Sequence, residues 1–555
     1  MQASAPLVSL RSTGSLPPAA DYRRWLAWLV WLLLLAALGP LSGCAGLPPG
    51  ANFPKTESIA LEHPEETPLG KQFAASAQAH GGQSAFRLVP VGLDGFLLRA
   101  QMIEQARKSL DMQYFIFQAD ETGKLLIDAI LRAADRGVRV RLLVDDVDNA
   151  GVDAQVEALD AHPNIEVRLY NPLRYRGSLK ALRWAELLFN APRLDYRMHN
   201  KLLVVDNAIA LVGGRNIGDE YFQVDPEGQE GDFETFAGGP VVPRLSASFD
   251  EFWASVPAIP VEALFGGAPT QETLASFREA LRQHRQEKKE DGSDYASRVG
   301  TGEPLGGVLG GRIPLVWAHA EVQYDSPDKR QVENGRKPGR LLRHAILQTV
   351  GQTQAELLMI SAYFIPGDDG MKILADLRQR NVDVRVLTNS LEANPEASAQ
   401  SGYQHYRLPL LRDDVALYEI RAMPGSARGT GQTAAMSRHG NFGLHTKLYV
   451  FDRQKIFVSS MNFDQRSLQI NTELGLLIDS PELARQGAAV FEGLTQPLNS
   501  YRVRLENDKD SATPRLSWHT MQDGQPISYA EEPAKSAWQR LKVRMLTLLP
   551  FDHEL

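Results

Sequence analysis

A histidine and a lysine stand two positions apart at His199 and Lys201, and the same pair returns 246 positions later at His445 and Lys447. Both pairs lead into apolar runs, "LLVV" and "LYVF", that are typical of buried strands. Because alternate residues of a strand point to the same side, we expect each histidine to share a pocket with its lysine. Two ammonium groups would then hold a phosphate, one imidazole would attack phosphorus, and the other would protonate the leaving oxygen.

Small residues and an asparagine follow each pair at the same spacing. The frame His-x-Lys-x4-Asp-x6-[Gly/Ser]-[Gly/Ser]-x-Asn occurs twice, and its small pairs are Gly213-Gly214 and Ser459-Ser460. We expect Gly214 and Ser460 to let the backbone approach a ligand. Asn216 and Asn462 would donate amide N–H groups to phosphoryl oxygens. These four residues are therefore candidate substrate-binding residues.

Acidic residues occur within and after each copy of the frame. Asp232 follows the first copy and Glu473 the second, and either carboxylate would accept a hydrogen bond from a catalytic imidazole. Asp206 and Asp452 come directly after the strand residues, at the start of turns. That position favours a structural role for both aspartates, in holding the loop or a lysine.

The flanking elements repeat with the motif. Tyr114 and Phe115 correspond to Tyr363 and Phe364, and a predicted strand at Val138 recurs about 244 positions further on. Each copy reads as helix, strand, helix and strand, which predicts parallel strands joined by helices. Several elements that agree within a few residues indicate an internal duplication.

The N-terminus indicates export to a membrane. The apolar run from Trp25 to Leu38 suits a signal-peptide core, and "LSGC" at residues 41–44 resembles a bacterial lipobox with Cys44 as the lipidated residue. Cys44 is the only cysteine of the chain, which excludes an internal disulfide and a cysteine-rich metal site. An uncleaved anchor helix is the alternative. Both alternatives predict a protein on a membrane of the bacterial cell envelope, facing away from the cytoplasm on the periplasmic side.

The composition indicates what the remaining segments are and which class of partner is excluded. The chain has 555 residues and a formal net charge of -8, which argues against a nucleic-acid binder held by bulk positive charge. Residues 45–78 are predicted to be a tether, and the charged, then glycine-rich residues 283–312 a linker or mobile loop. Near the C-terminus, Trp538, Leu541, Met545 and Leu548 would line one helix face, either at a membrane interface or docked on the domain.

At these residues the sequence resembles the phospholipase D superfamily, with both HKD motifs intact. The stretches "DMQYFIFQADETGKLL", "GGRNIGDEYF", "YDSPDK" and "LLPFDHEL" resemble the bacterial cardiolipin synthase C group. The resemblance implies an α/β fold with two tandem α/β/α sandwich domains, mixed β-sheets and pseudo-two-fold symmetry. Their expected bounds are 79–282 and 313–555, after a signal peptide over 1–44.

The resemblance also implies a mechanism. Catalysis would need neither a metal nor another cofactor and would pass through a covalent phosphohistidine, with His199 as the nucleophile and His445 as the general acid. The lysines and aspartates of both HKD motifs would complete the catalytic set.

Several reactions share this chemistry. Water as the acceptor gives a phospholipase, an alcohol gives a transphosphatidylase, phosphatidylglycerol gives cardiolipin, and a nucleic-acid substrate gives a nuclease. Membrane placement favours phospholipid substrates and no nucleic acid is expected. The expected phospholipid is phosphatidylglycerol, with phosphatidylethanolamine as a further candidate. A catalytically inactive lipoprotein is a further alternative, and an unidentified protein partner is left open. The stretch 171–197 is expected either to border the active-site mouth and touch headgroups or to be an ordinary helix packed on the core.

Overall fold

Each half of the chain forms a mixed β-sheet, and the two join edge to edge into one 18-stranded sheet that is the framework of the protein. In the computed structural model the described residues are 47–147, 153–177, 179–224, 228–265, 270–298, 303–394, 396–423, 441–506 and 514–547. The expected signal peptide and Cys44 lie outside these residues.

The first sheet contains all but one of the strands of the first half. These strands are β1 (Ser84–Val89), β2 (Ser109–Tyr114), β3 (Arg139–Asp145), β4 (Ile165–Tyr170), β5 (Leu202–Val205), β6 (Ile209–Gly213), β7 (Gly228–Gly231), β8 (Glu234–Gly238) and β9 (Ala258–Pro260). Without β7, their order is β9-β4-β3-β2-β5-β6-β8-β1. Strands β2, β3 and β4 are parallel, as the helix–strand pattern predicted, and the other neighbours are antiparallel.

The second sheet repeats this arrangement. Its half contains β10 (Val316–Tyr324), β11 (Glu356–Ser361), β12 (Asp383–Asn389), β13 (Ala416–Ile420), β14 (Asn441–Leu444), β15 (Lys447–Phe451), β16 (Lys455–Ser459), β17 (Leu474–Asp479), β18 (Ser500–Glu506), β19 (Arg515–Gln522) and β20 (Gln525–Tyr529). Without β14, the order is β20-β19-β18-β13-β12-β11-β15-β16-β17-β10, with β11, β12 and β13 parallel. The equal central order in both sheets confirms the duplication.

Helices cover both sheets. In the first half they are α1 (Pro68–Ala79), α2 (Gly92–Gln105), α3 (Glu121–Asp135), α4 (Asp153–Asp160), α5 (Lys180–Phe189), α6 (Ala191–Leu194), α7 (Val242–Ala254), α8 (Glu262–Phe265), α9 (Gln271–Glu290), α10 (Asp294–Arg298) and α11 (Leu305–Leu309). In the second half they are α12 (Lys329–Glu333), α13 (Leu342–Gln352), α14 (Gly367–Gln379), α15 (Ala397–Arg412), α16 (Pro481–Leu494) and α17 (Ala537–Leu546). A 3₁₀ turn at Pro64–Glu66 and a single π turn at Arg466–Ile470 complete the regular elements. None of the helices in the described part of the chain has the length and apolar character needed to cross a membrane.

Local signals explain the bounds of the helix between β2 and β3. The carboxylate of Asp120 accepts a hydrogen bond from the Gly123 backbone N–H at 2.9 Å and caps the start of α3. Gly137 takes a φ of 89°, the left-handed conformation that commonly follows a helix end and that glycine adopts without strain. The chain thereby turns into β3, whose C-terminal end lies at the site.

The two halves are joined by strand pairing and by a shared core. Strands β1 and β10 pair antiparallel over three residues, and β7 and β14 form a separate parallel ribbon between the halves. One hydrophobic cluster includes Phe86 and Trp253 of the first half with Leu448 and Phe491 of the second. Two further clusters each belong to a single half.

Two segments expected to be irregular contain helices. The predicted tether ends in α1, whose buried Phe73 packs against Phe236 with ring centroids 6.1 Å apart. Residues 283–290 of the predicted linker continue α9, because Leu274 and Leu281 are buried along one face of that helix. The charged part of this stretch is therefore helical rather than a loop.

Candidate active site

The two motif histidines each bind a carboxylate from the other half of the chain. His199 Nδ1 lies 2.9 Å from Glu473 Oε2, and His445 Nδ1 lies 2.5 Å from Asp232 Oδ2. All four side chains are 12% exposed or less, so these contacts are shielded from water. The imidazole–carboxylate contacts predicted from the sequence are confirmed, and the structure adds that they cross between the halves.

Backbone pairing holds this exchange in place. The His199 N–H donates to the Thr472 carbonyl at 2.9 Å, and the His445 N–H donates to the Gly231 carbonyl at 2.9 Å. Each histidine therefore lies beside the residue that precedes the other half's carboxylate. The parallel pairing of β7 with β14 and the bridge between Met198 and Thr472 extend these contacts.

The two lysines lie buried beside the histidines. Lys201 Nζ donates to the His199 carbonyl at 2.7 Å, and Lys447 Nζ donates to the His445 carbonyl. Burial lowers the pKa of both ammonium groups, although Glu473 opposes the shift at Lys201. Lys201 Nζ also lies 5.1 Å from the centre of the Phe115 ring. As predicted, both histidines and both lysines converge on one site.

The environment favours neutral imidazoles. Burial, together with the positive charge of the lysines, holds the pKa of His199 well below its usual value and lowers that of His445 to about 3. A neutral imidazole carries the lone pair that a nucleophile needs. An anionic phosphodiester would offset the lysine charge, which favours protonation of whichever imidazole faces the leaving oxygen.

The two carboxylates differ in their surroundings. Burial raises the pKa of Glu473 to about 7, against the opposing charge of Lys201. At Asp232, burial would also raise the pKa, but His445 and Lys447 outweigh it and the pKa is lowered. Asp232 therefore stays ionised beside His445, where it stabilises an imidazolium.

Two of the small motif residues, Gly214 and Ser460, contact the carboxylates that bind the histidines. A Cβ atom at Gly214 would lie 2.4 Å from Asp232 Oδ1, so the space that glycine leaves is filled by the carboxylate. At the equivalent position, the Ser460 hydroxyl donates to Glu473 Oε2. Both residues are therefore in contact with the carboxylates, and their role in substrate binding stays a prediction.

The two asparagines are buried in the same region. Asn216 Oδ1 accepts from the Ile116 N–H at 3.3 Å, and the Asn216 side chain also hydrogen-bonds to Tyr221. Asn462 is 4% exposed, and its Oδ1 lacks a partner among the described residues. The role predicted for both asparagines, donation of an amide N–H to a phosphoryl oxygen, stays a prediction.

The motif aspartates do not join the site. Asp206 accepts hydrogen bonds from the backbone N–H groups of residues 107–109 at 2.8–3.1 Å, and Asp452 does the same for residues 354–356. The four residues of β5 separate Asp206 from the histidine end of that strand, at about 3.3 Å per residue. Both aspartates thus anchor the start of a neighbouring strand, and a place in the catalytic set does not fit their geometry.

Sequence reasoning missed the residues that support Glu473. Asp325 Oδ2 accepts from the Glu473 N–H at 3.0 Å and lies 3.0 Å from Lys329 Nζ. Lys329 also donates to the Ser467 and Asn471 carbonyls. Asp325 and Lys329 belong to the "YDSPDK" stretch, whose only signal in the sequence is its resemblance to the cardiolipin synthase C group.

Support on the other side comes from Arg215 and Asp145, which were also missed. Arg215 donates to the Asp232 carbonyl at 2.5 Å, and Asp145 accepts from the Met198 N–H at 2.9 Å. Among the described residues, no group of three or more His, Cys, Asp and Glu side chains is arranged to hold a metal ion.

Comparisons with known proteins agree with this arrangement. The family model described as "Cardiolipin synthase, PLD-like domain" matches residues 100–253 and 346–495, once in each half. Cardiolipin synthase C of Escherichia coli (strain K12) is 34% identical over 478 residues, which cover 85% of this chain and 96% of that protein. An uncharacterized protein of Helicobacter pylori (strain ATCC 700392 / 26695) is 29% identical over 512 residues, covering 92% of this chain and 97% of its own.

Among solved structures, phosphatidylserine synthase of Haemophilus influenzae Rd KW20 aligns with a TM-score of 0.48 and 14% identity, over 76% of this chain and 90% of that one. The family model and the similarity to the Escherichia coli relative span both histidine motifs. The chain therefore belongs to the phospholipase D superfamily, in its cardiolipin synthase-like family of phosphatidyltransferases.

Proposed function

We propose that the protein is a membrane-associated phospholipid transphosphatidylase of cardiolipin synthase type that acts through a covalent phosphohistidine. The observation that carries the proposal is the pair of buried histidines, each bound to a carboxylate of the other half, with two lysines beside them. Cardiolipin synthase C, which is similar along most of its length, supports phospholipid as the substrate class.

In the first step, His199 Nε2 attacks the phosphorus of a donor phospholipid, since its Nδ1 is held by Glu473. The phosphorus–nitrogen bond forms as the bond to the headgroup oxygen breaks. That oxygen takes the electron pair and a proton from His445 Nε2. The products are a phosphatidyl-His199 intermediate and a free headgroup alcohol.

In the second step, the acceptor hydroxyl attacks the same phosphorus and gives its proton to His445 Nε2. The phosphorus–nitrogen bond breaks and its electron pair returns to His199. Lys201, Lys447 and the amide of Asn216 stabilise the charge that develops on the phosphoryl oxygens in both steps. With phosphatidylglycerol as the acceptor, the product is cardiolipin.

The same intermediate allows hydrolysis, so the acceptor has to be tested directly. The full-length protein is incubated with vesicles of phosphatidylglycerol, with and without phosphatidylethanolamine, in EDTA, and a His199→Ala variant is the control. We expect cardiolipin from the wild type and none from the variant. Phosphatidic acid without cardiolipin would make the protein a hydrolase, and turnover of neither lipid would favour the nuclease alternative or a need for a protein partner.

The covalent step has its own test. A p-nitrophenyl phosphodiester of a short-chain lipid releases p-nitrophenolate, which needs no proton to leave. A His445→Asn variant should therefore form the phosphohistidine intermediate and transfer its phosphatidyl group only slowly. Mass spectrometry of the quenched variant is expected to find the phosphatidyl group on His199. If the phosphatidyl group is found only in the reciprocal His199→Asn variant, on His445, the roles of the two histidines are reversed.

Residence on the periplasmic side of a membrane belongs to the same proposal. It is supported by the signal-peptide and lipobox pattern that ends at Cys44. Metabolic labelling with a clickable fatty acid, compared between wild type and Cys44→Ala, tests it. Equal labelling of both would argue against lipidation at Cys44.

A further inference from the structure

Helix α5 has its polar and apolar sides reversed. The side chain of Arg183 is buried and donates to the Asp146 carbonyl at 3.2 Å, and Glu186 accepts from the backbone N–H of Arg174 at 2.8 Å. The apolar side chains point outward instead, with Trp184 69% and Leu188 74% exposed. A surface helix normally buries its apolar stripe, so this face indicates a nonaqueous partner.

Helix α17 presents a second uncovered apolar stripe. Its Val543 is fully buried, and Gln539 donates to the Leu391 carbonyl at 2.7 Å, so one side of the helix is docked on the protein. On the other side, Trp538, Leu541 and Met545 are 68%, 48% and 59% exposed. The expected docking of this helix on the protein is confirmed, while its contact with a membrane stays a prediction, and Leu548 of the predicted apolar face lies outside the described residues.

Each helix contacts the sheet edge at which a catalytic histidine lies. Asp146, which α5 contacts, directly follows the C-terminal end of β3, and Leu391, which α17 contacts, follows the C-terminal end of β12. Strand β5 is antiparallel to β2, and β15 to β11, so His199 and His445 lie at these same edges. Met423, 71% exposed, follows β13 at the same edge of the second sheet.

Most of the charges on and beside these apolar faces are positive. Helix α17 contains Arg540, Lys542 and Arg544 and no acidic residue, and Arg540 is paired at 3.6 Å with Glu531, which precedes the helix. Next to α5, Arg174 is exposed, while the one acidic residue of the helix, Glu186, points inward. Exposed tryptophan and leucine next to cationic side chains is the pattern of helices that lie in the surface of a bilayer with anionic lipids.

We infer that α5 and α17 together form a membrane-docking surface that holds the mouth of the catalytic cleft against an anionic phospholipid bilayer. The inference rests on the proposed function and names how that function reaches its substrate. The apolar side chains enter the acyl-chain boundary, and the arginines and lysines bind lipid phosphates. A headgroup then passes between the helices to the histidines without leaving the membrane surface.

Tryptophan fluorescence tests the surface independently of catalysis. The full-length protein is bound to vesicles of equal parts phosphatidylglycerol and phosphatidylcholine that contain lipids brominated in the acyl chains. We expect the brominated lipids to quench Trp184 and Trp538, so that Trp184→Phe and Trp538→Phe each lose part of the quenched emission. The other tryptophans contribute equally to all variants and cancel in the difference.

A matched pair of variants tests the consequence for turnover. Leu188→Gln combined with Leu541→Gln changes two exposed side chains, one on each helix. Ile59→Gln changes a 56% exposed residue at the opposite end of β3, where Arg139 donates to its carbonyl. We expect the double variant to lose about tenfold in transfer rate on vesicles and less than about twofold on monomeric short-chain lipid, with the Ile59 variant unchanged on both.

The outcomes separate this inference from the proposed function. Unquenched Trp184 and Trp538, or equal vesicle rates for the double and Ile59 variants, would overturn the docking surface. A double variant that changes oligomeric state in size-exclusion chromatography, without a change in quenching, would assign the faces to a second copy and also overturn it. If the wild type transfers no lipid in either form, the proposed function fails, and the quenching result alone decides the surface.

Discussion

The exchange of carboxylates between the halves leads to a quantitative prediction for Asp232→Asn. Asp232 lies 2.5 Å from His445 Nδ1 and stays ionised, so it stabilises the imidazolium that donates the proton to the leaving oxygen. With the two charge centres roughly 4 Å apart and an effective dielectric constant of about 20, this interaction amounts to about 4 kcal/mol. Since about 1.4 kcal/mol corresponds to a factor of ten in rate, kcat should fall about a thousandfold.

The assay compares two leaving groups. With phosphatidylglycerol, whose headgroup needs a proton to leave, we expect the full loss in Asp232→Asn. With a p-nitrophenyl phosphodiester, the burst of p-nitrophenolate should fall less than about tenfold, because that group leaves without a proton. Glu473→Gln should slow both substrates, since Glu473 supports the imidazole that becomes phosphorylated.

Two results would refute this reasoning. A folded Asp232→Asn enzyme with kcat within about threefold of the wild type would mean that the carboxylate does not stabilise a charged intermediate state. Equal losses for both leaving groups in both variants would remove the assignment of His445 as the acid. Thermal unfolding of each variant serves as the control for folding.

Three further predictions follow from the site. The acid limb of the pH profile of kcat/KM reports the pKa of the attacking imidazole in the free enzyme, and it should lie below pH 6.5 because that pKa is lowered. Lys447→Gln removes a positive charge beside the imidazole and should move the acid limb to higher pH. Asp206→Ala should lower the free energy of unfolding by about 3 kcal/mol, measured by urea denaturation, and leave kcat per folded molecule within about twofold. Gly214→Ala should lower kcat at least tenfold, because its Cβ would meet Asp232 Oδ1 at 2.4 Å. Ser460→Gly loses one hydrogen bond to Glu473 and should lower kcat about tenfold or less in the same transfer assay.

Each of these predictions has a contradicting result. An acid limb above pH 6.5 would mean that the histidines are protonated in the free enzyme. A large loss of kcat in a stably folded Asp206→Ala enzyme would return that residue to the catalytic set. Normal turnover by Gly214→Ala would show that the carboxylate tolerates displacement.

Features that depend on neighbouring residues were predictable from the sequence. Helix α3, its cap at Asp120 and its stop at Gly137 follow from periodicity and backbone preference, and so do the parallel strands on either side. The convergence of both His-Lys pairs followed from their exact repetition. These features need only local pattern and the recognition of a duplication.

Features set by long-range packing were not predictable. Asp232 lies 213 positions before the histidine that it binds, and only the packing of the two halves decides which imidazole it meets. The hydrogen bond from Glu473 to Asp325 also joins residues far apart in the sequence, 148 positions from each other, so no local pattern predicts it. For α5, the apolar spacing predicts a two-sided helix, but the spacing does not say which side faces the protein.

Ser460 shows a limit of another kind. The sequence treats serine and glycine alike as small residues, yet the hydroxyl binds Glu473 where glycine at the equivalent position leaves space for Asp232. The sequence gives the small size of both residues, while the hydrogen bond depends on the longer glutamate side chain at the neighbouring strand end.

The crossed carboxylates also constrain how such a chain arose. Neither half supplies the carboxylate of its own histidine, so a single copy of half this length would complete both contacts only as a two-fold symmetric dimer whose subunits exchange carboxylates. A homodimer has one sequence for both of its histidine–carboxylate pairs, and every substitution appears twice. A chain that carries both copies is free of that restriction, and its two different pairs, serine with glutamate and glycine with aspartate, are a combination that a symmetric dimer is unable to hold.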